Sequence, residues 1–308
     1  MNLRAKIAAR LIATHILLVA GLIVLAASVA SLLCLSIAQT VLLIVYLSGY
    51  WEFFGLRFKR LFLFLAETAI LVILCYRLFS GCDYDMGVYL AAVLSAIQLY
   101  TLTLLIKMII VIFRKDRVFM EIAFPFRKGT YLITDGGNSK ISRLMNYHYY
   151  APVHKKNKTN LSMLYATDIV KLTDRANWLP RRNEQYPVYE EPVYSPIEGR
   201  VVKVITDIDD NVPYCGPFPY NTGNTVVIQK DTYFLLLGHL KKDSILVEEG
   251  DMVRANELIA AAGNSGWTER PHLHMQLVKS DSANYWLGVG IEMRFRNKTL
   301  VKNSIIKN

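Results

Sequence analysis

Near the C-terminal end of the chain, Gly263-Asn264-Ser265-Gly266 leads through Pro271 into His272-Leu273-His274. In an extended strand alternate side chains share a face, so two histidines at i and i+2 point the same way. Imidazoles paired behind a glycine turn can hold a metal together, or divide the work between ligand and acid/base. The plain alternative is a strand that happens to carry two of the chain's six histidines. A hydrolytic zinc site needs three protein ligands and one open position for water. The metal brings the pKa of that water to about 7 and polarises the scissile carbonyl, while a nearby base takes the proton. Further residues of the right kinds stand elsewhere: His148 after a glycine-containing turn, Asp168 in a predicted strand, and His239 at the end of the apolar run Tyr233–Gly238.

The elements that must position them come from a chain of two unlike halves. It has 308 residues, is 53% hydrophobic and carries a net charge of +10. Residues 1–113 hold eight Lys/Arg and four Asp/Glu, and residues 114–308 hold the other 27 and 21. The charge therefore divides as +4 and +6, spread diffusely over an apolar and a polar part. A diffuse basic excess suits an anionic lipid surface or an anionic wall polymer. No nucleic-acid motif or clustered basic stripe is present, so nucleic acid is not an expected partner. Cys34, Cys75, Cys82 and Cys215 form no disulfide framework.

From Leu11 to Tyr50 the sequence is almost uncharged, too long for one crossing of roughly 20 residues. The spacing predicts an α-helical transmembrane region over 1–117, with four helices at about 11–29, 33–54, 61–79 and 87–113 and a turn near Ala30–Leu33. Three spans is the alternative. A cleavable signal peptide is not expected, because the apolar stretch far exceeds an h-region. Cations gather at Arg4, Lys6 and Arg10, at Arg57, Lys59 and Arg60, and at Arg114, Lys115 and Arg117, whereas Asp83 and Asp85 mark another connection. With four spans the positive-inside rule puts both termini in the cytoplasm. His15, Glu67 and Lys107 lie inside the predicted spans, and a hairpin would bring Glu67 and Lys107 to similar depth. A structural ion pair, or a snorkelling Lys107, is the expected role.

Residues 118–308 read as a mainly antiparallel β domain. Strands are expected at Tyr131–Thr134, Leu164–Val170, Gly199–Thr206, Asn224–Gln229, Tyr233–Leu237, Glu257–Ala262 and Leu273–Val278, with a loop over 174–192. Ser195–Val202 and Glu249–Val253 resemble the half-barrels of biotinyl and lipoyl carriers, but no lysine-centred hairpin separates them. That stretch implies a small barrel-sandwich and no carrier chemistry.

Over roughly 130–280 the sequence resembles the M23 zinc metallopeptidases, the LytM or lysostaphin type. The resemblance rests on Asn146-Tyr147-His148, Tyr165-Ala166-Thr167-Asp168, Gly238-His239-Leu240, and the run from Gly263 through Pro271-His272-Leu273-His274 to Gln276. It implies a LytM-like fold and one zinc ion held by His148, Asp168 and His274. It also implies that His239 and His272 sit beside the metal as catalytic residues. His148 and Asp168 are twenty residues apart, much farther than in many family members. A branch of the family has such an insertion and a similar Asn-x-His start, which favours His148 over the lysine-flanked His154. Arg270 stands where the family often has a small residue.

Three functions follow from these readings. The first is a zinc endopeptidase in a bacterial cell membrane that cuts peptidoglycan cross-link peptides. The second is a non-catalytic or regulatory LytM-like module, disfavoured because all the implied ligands are present. The third is a membrane protease with a protein substrate on the cytoplasmic side, where the loop charges point. Substrate peptide and membrane lipid are the expected partners.

Overall fold

A computed structural model describes residues 29–49, 88–148, 161–173, 180–216 and 221–308. The chain divides into two compact units, Met1–Ile110 and Val111–Asn308.

In the first unit a helix runs over Val29–Ser48. Its few hydroxyls bond back to their own helix, Thr40 Oγ1 donating to Ser36 O and Ser48 Oγ to Ile44 O. The turn expected near Ala30–Leu33 is absent: those residues are helical, and Ala30-Ser31-Leu32-Leu33 contains no Gly or Pro to stop a helix. The expected span over 33–54 therefore starts earlier and ends sooner. A second helix, Val88–Phe113, follows the expected 87–113 closely. Within it Ala92–Phe113, at a mean hydropathy of 2.1, is the one helix among the described residues long and apolar enough to cross a membrane. Leu33–Ser48 is apolar but shorter. The spans expected at 11–29 and 61–79, with His15 and Glu67, lie outside the described residues.

The second unit is built on one antiparallel sheet. Its strands are β2 (Thr130–Asp135), β3 (Thr167–Leu172), β5 (Gly199–Ile205), β6 (Asn224–Lys230), β7 (Tyr233–Leu240), β8 (Met252–Val253), β10 (Leu273–Lys279) and β14 (Ile305–Lys307). They pair in the order β14-β2-β3-β10-β7-β6-β5-β8, and β11 (Val289–Gly290) adds to β10. Smaller pairings join β4 (Pro192–Tyr194) to β9 (Leu258–Ala261), and β12 (Glu292–Phe295) to both β1 (Phe119–Glu121) and β13 (Lys298–Thr299). The second expected strand begins at Thr167 rather than Leu164, because a 3-10 turn at Leu161–Met163 precedes it. The loop expected over 174–192 holds a 3-10 turn at Asn183–Gln185.

Alternation along the strands decides which face carries the core. Leu273, Met275 and Leu277 of β10 join Leu235 and Leu237 of β7, Val226 and Ile228 of β6, and Ile133 and Ile169 in one buried cluster. Phe126 stacks on Tyr131 at 4.8 Å to close it. The intervening residues of β10, His274 and Gln276, therefore face the other way, and both are buried. The sheet thus carries an apolar core on one side and chemistry on the other.

Candidate metal centre

Register places the first two groups. Asp168 of β3 is the direct partner of His274 of β10, and side chains of opposed residues share a face. On the other side of β10, His274 pairs with Gly238 of β7. Strict alternation would send the next residue, His239, toward the core. Instead His239 has a φ of 57°, a left-handed conformation that is uncommon for a residue with a side chain. The kink turns its ring toward the site, 4.7 Å from the His272 ring and 5.7 Å from that of His274. His272 lies just before β10 and not within it, as the shared strand face had required. Its ring nevertheless reaches the same point, with Nε2 at 3.5 Å from Asp168 Oδ1.

His148 enters from the loop after β2. Asn146 is fully buried and donates its amide to Gly137 O and Ala166 O, both at 2.8 Å. Its Oδ1 then accepts from His148 Nδ1 at 2.8 Å. The side chain of Asn146 thereby ties the loop end to the segment before β3 and sets the His148 ring. His148 Nε2 comes to 3.3 Å from Asp168 Oδ1. His154 lies outside the described residues.

With amide and backbone oxygens as acceptors, the hydrogen bonds suit one tautomer of each neutral ring. His148 Nδ1–H donates to Asn146, His239 Nδ1–H to Ser265 O at 2.8 Å, and His272 Nδ1–H to Arg270 O at 2.8 Å. His274 is reversed: Nε2–H donates to Gln276 Oε1 at 3.2 Å, and Nδ1 faces Asp168 Oδ1 at 3.0 Å. As neutral rings, three imidazoles therefore aim lone pairs at one carboxylate oxygen. Acceptor against acceptor is repulsive, and either protons or a cation between them relieves it. Charge couplings follow from this crowding. Burial pushes His148 down, but the Asp168 carboxylate outweighs it and holds the imidazolium above the ordinary histidine pKa. Burial works against the Asp168 charge too, yet His148 and His272 keep its carboxyl well below the usual range. His239 and His272 are both lowered, first by burial, and His239 strongly, with the His272 and His274 charges adding to it.

His148, Asp168 and His274 offer ligand atoms that all lie within 4.8 Å of one another. Two ligands each 2.0–2.1 Å from one tetrahedral zinc stand about 3.3 Å apart, close to the 3.3 and 3.0 Å found here. Donor types, tautomers and spacing thus suit zinc. The turn behind them is pressed tight: Gly266 has a φ of 78°, and a Cβ there would collide with the Gly223 backbone and the Asn221 side chain. That turn carries Ser265 O to His239 and continues to Thr268, whose hydroxyl lies 3.1 Å from His272 Nδ1.

All five residues expected at the site converge. The sequence reading assigned no role to Asn146, although it stands two residues before His148. Nor did it assign one to Gln276, although the i, i+2 rule puts it on the same face as His274.

The sequence model of Peptidase family M23 matches residues 186–285. The chain carries an M23 peptidase domain there. The matched segment contains His239, His272 and His274, while His148 and Asp168 precede it. Among named relatives, Peptidoglycan DD-endopeptidase ShyB of Vibrio cholerae is 30% identical over 166 residues, covering 46% of this chain and 36% of that protein. ShyA of the same organism, also named a peptidoglycan DD-endopeptidase, is 39% identical over 88 residues, 28% of this chain and 17% of that one. The chain thus spans less than two fifths of either relative. A solved zinc-containing peptidase from Vibrio cholerae is 26% identical, with 57% of this chain and 39% of that chain covered and a TM-score of 0.32. The catalytic domain of lysostaphin from Staphylococcus simulans is 18% identical, with 47% and 86% covered and a TM-score of 0.30.

Asn146→Ala tests the tautomer assignment. Removing the Oδ1 acceptor frees the His148 ring, and zinc affinity should fall about 10- to 100-fold. A chelator competition measures it.

Proposed function

We propose that the chain is a membrane-anchored, zinc-dependent endopeptidase that hydrolyses peptide bonds in peptidoglycan cross-links. The observation that carries this reading is the convergence of His148 Nε2 and His274 Nδ1 on Asp168 Oδ1, with His239 and His272 beside them. In it His148, Asp168 and His274 hold one zinc ion. The metal, when bound, supplies Lewis-acid polarisation of the scissile carbonyl and acidifies water at neutral pH.

The protein's own groups do the rest. Ser265 O and Arg270 O hold the Nδ1 protons of His239 and His272, so each Nε2 keeps a lone pair. Both rings are neutral at pH 7, since both pKa values are lowered. One takes the proton of the attacking water and returns it to the leaving amine. The other accepts at its Nε2 lone pair from the same water and orients it for attack. The relatives named peptidoglycan DD-endopeptidases support the substrate class.

One helix long and apolar enough to cross a membrane, Ala92–Phe113, supports anchoring, and in this reading it is the last of four spans. Leu99, Ile106 and Phe113 of that helix are exposed, as residues facing lipid tails are. Peptidoglycan hydrolysis requires the β domain to lie outside the membrane. The cations at Arg57, Lys59 and Arg60 favour the second reading, a protein substrate on the cytoplasmic side. Reporters fused after Asn308 separate the two. Activity of an extracytoplasmic reporter is expected; activity confined to a cytoplasmic reporter would remove peptidoglycan as the substrate.

A further inference from the structure

Behind the ligands lies a buried ion pair outside the matched M23 segment. Asp135 ends β2 and, past a register shift between Ile133 and Asp135, is the partner of Asp168 on β3. Opposed side chains on an antiparallel pair share a face with Cβ atoms about 4.5–5.5 Å apart, and like charges so placed repel. The fold therefore sets a second carboxylate, itself buried, beside the ligand carboxylate. Lys302, also buried, brings its ammonium to 3.4 Å from Asp135 Oδ1.

The C-terminal segment delivers that lysine. Lys302 N–H donates to Gly136 O at 3.3 Å and Asn303 N–H to Ile133 O at 2.7 Å. The same short stretch after Asp135 also receives the His148 loop, because Gly136 N–H donates to Met145 O and Asn146 Nδ2 to Gly137 O. Asp135 and Lys302 thus adjoin the supports of both His148 and Asp168. Each charge is felt at His148, Asp135 raising its pKa and Lys302 lowering it. Stability alone is a weak reason to keep such a pair, since apolar replacement of a buried ion pair is often neutral or better.

We propose that the Asp135–Lys302 pair sets the electrostatic field at the metal: Lys302 cancels Asp135, so that Asp168 is the carboxylate left to face the cation. Both are positioning residues, acting on the metal through charge and not by contact. The inference rests on His148, Asp168 and His274 holding a metal.

Opposite charges then give opposite effects. Lys302→Met leaves two carboxylates near the cation and tightens zinc binding. Asp135→Asn leaves an unbalanced ammonium and weakens it. The double variant returns to the wild-type value, and Lys302→Arg, which keeps the charge, stays there. The test is zinc competition against a chromophoric chelator, using the full chain in detergent, with the visible spectrum of the cobalt-loaded protein as a second readout. Shifts of about tenfold in opposite directions are expected. A merely structural pair would weaken binding in both single variants through loss of fold, and that result, or no shift in either, would overturn the proposal. Should one single variant fail to fold, the other decides with the double variant: a shift in the stated direction that the double variant reverses supports the proposal, and no shift, or a weakened double variant, overturns it. Failure of the wild-type chain to bind zinc would instead sink the metal reading itself.

Discussion

Replacing His274 by alanine should abolish zinc binding and hydrolysis together. His274 is 1% exposed and presents Nδ1 to Asp168 while Gln276 holds its Nε2 proton. Loss of a direct ligand removes more than the roughly 10- to 100-fold that an outer partner is worth, and Arg270 O holds the neighbouring His272 ring at its Nδ1. The strand itself survives, because its pairing to β3 and β7 is made by backbone. Metal analysis after desalting should find no retained zinc in a protein that still melts cooperatively. Retention of stoichiometric zinc by His274→Ala would place the metal elsewhere.

His272→Ala, by contrast, should keep most of the metal and lose turnover. Its Nε2 lies farther from Asp168 than the nitrogens of His148 and His274. General acid/base groups contribute about 10²- to 10⁴-fold to rate, and the loss should fall on kcat rather than on zinc content. His239→Ala should behave alike, with no gain in stability, because alanine keeps the Cβ that makes the left-handed position costly. The pH profile carries the same signature. Burial lowers the His272 pKa, so its base form persists below the ordinary histidine value of about 6.5. The acid limb of kcat/KM should accordingly lie below that pH, and it should vanish with the ring. Equal zinc loss from His272→Ala and His274→Ala would mean that the division between ligand and catalytic neighbour is wrong.

Much of this site was legible from residue types and local spacing. His272 and His274 declared themselves by their i, i+2 spacing, although His272 sits just before the strand, and a glycine turn before them marked a backbone that had to fold tightly. His148 and Asp168 needed the family resemblance, because nothing local joins residues twenty positions apart. What stayed hidden depends on partners distant in sequence. Asn146 acts by reaching Ala166 O, and Asp135 acts only because β2 and β3 pair past a register shift and Lys302 returns from the C-terminus. The left-handed turn at His239 contradicts simple alternation, and only the close approach of Thr222 and Ser265 explains it: His239 N–H donates to Thr222 O and the ring to Ser265 O. In the apolar unit, periodicity cannot set helix ends when every residue is compatible with a helix, and so the turn near Ala30–Leu33 was misplaced.

Digestion of purified sacculi tests the proposed reaction most directly. The full chain, purified in detergent and loaded with zinc, is incubated with intact peptidoglycan, and released fragments are identified by mass spectrometry beside those from His274→Ala. The expected result is new cleavage at cross-link peptide bonds, with glycan strands intact, that disappears on chelation, returns with zinc and is absent from the variant. Intact cross-links after treatment with a zinc-loaded, folded wild-type chain, or equal cleavage by His274→Ala, would contradict it.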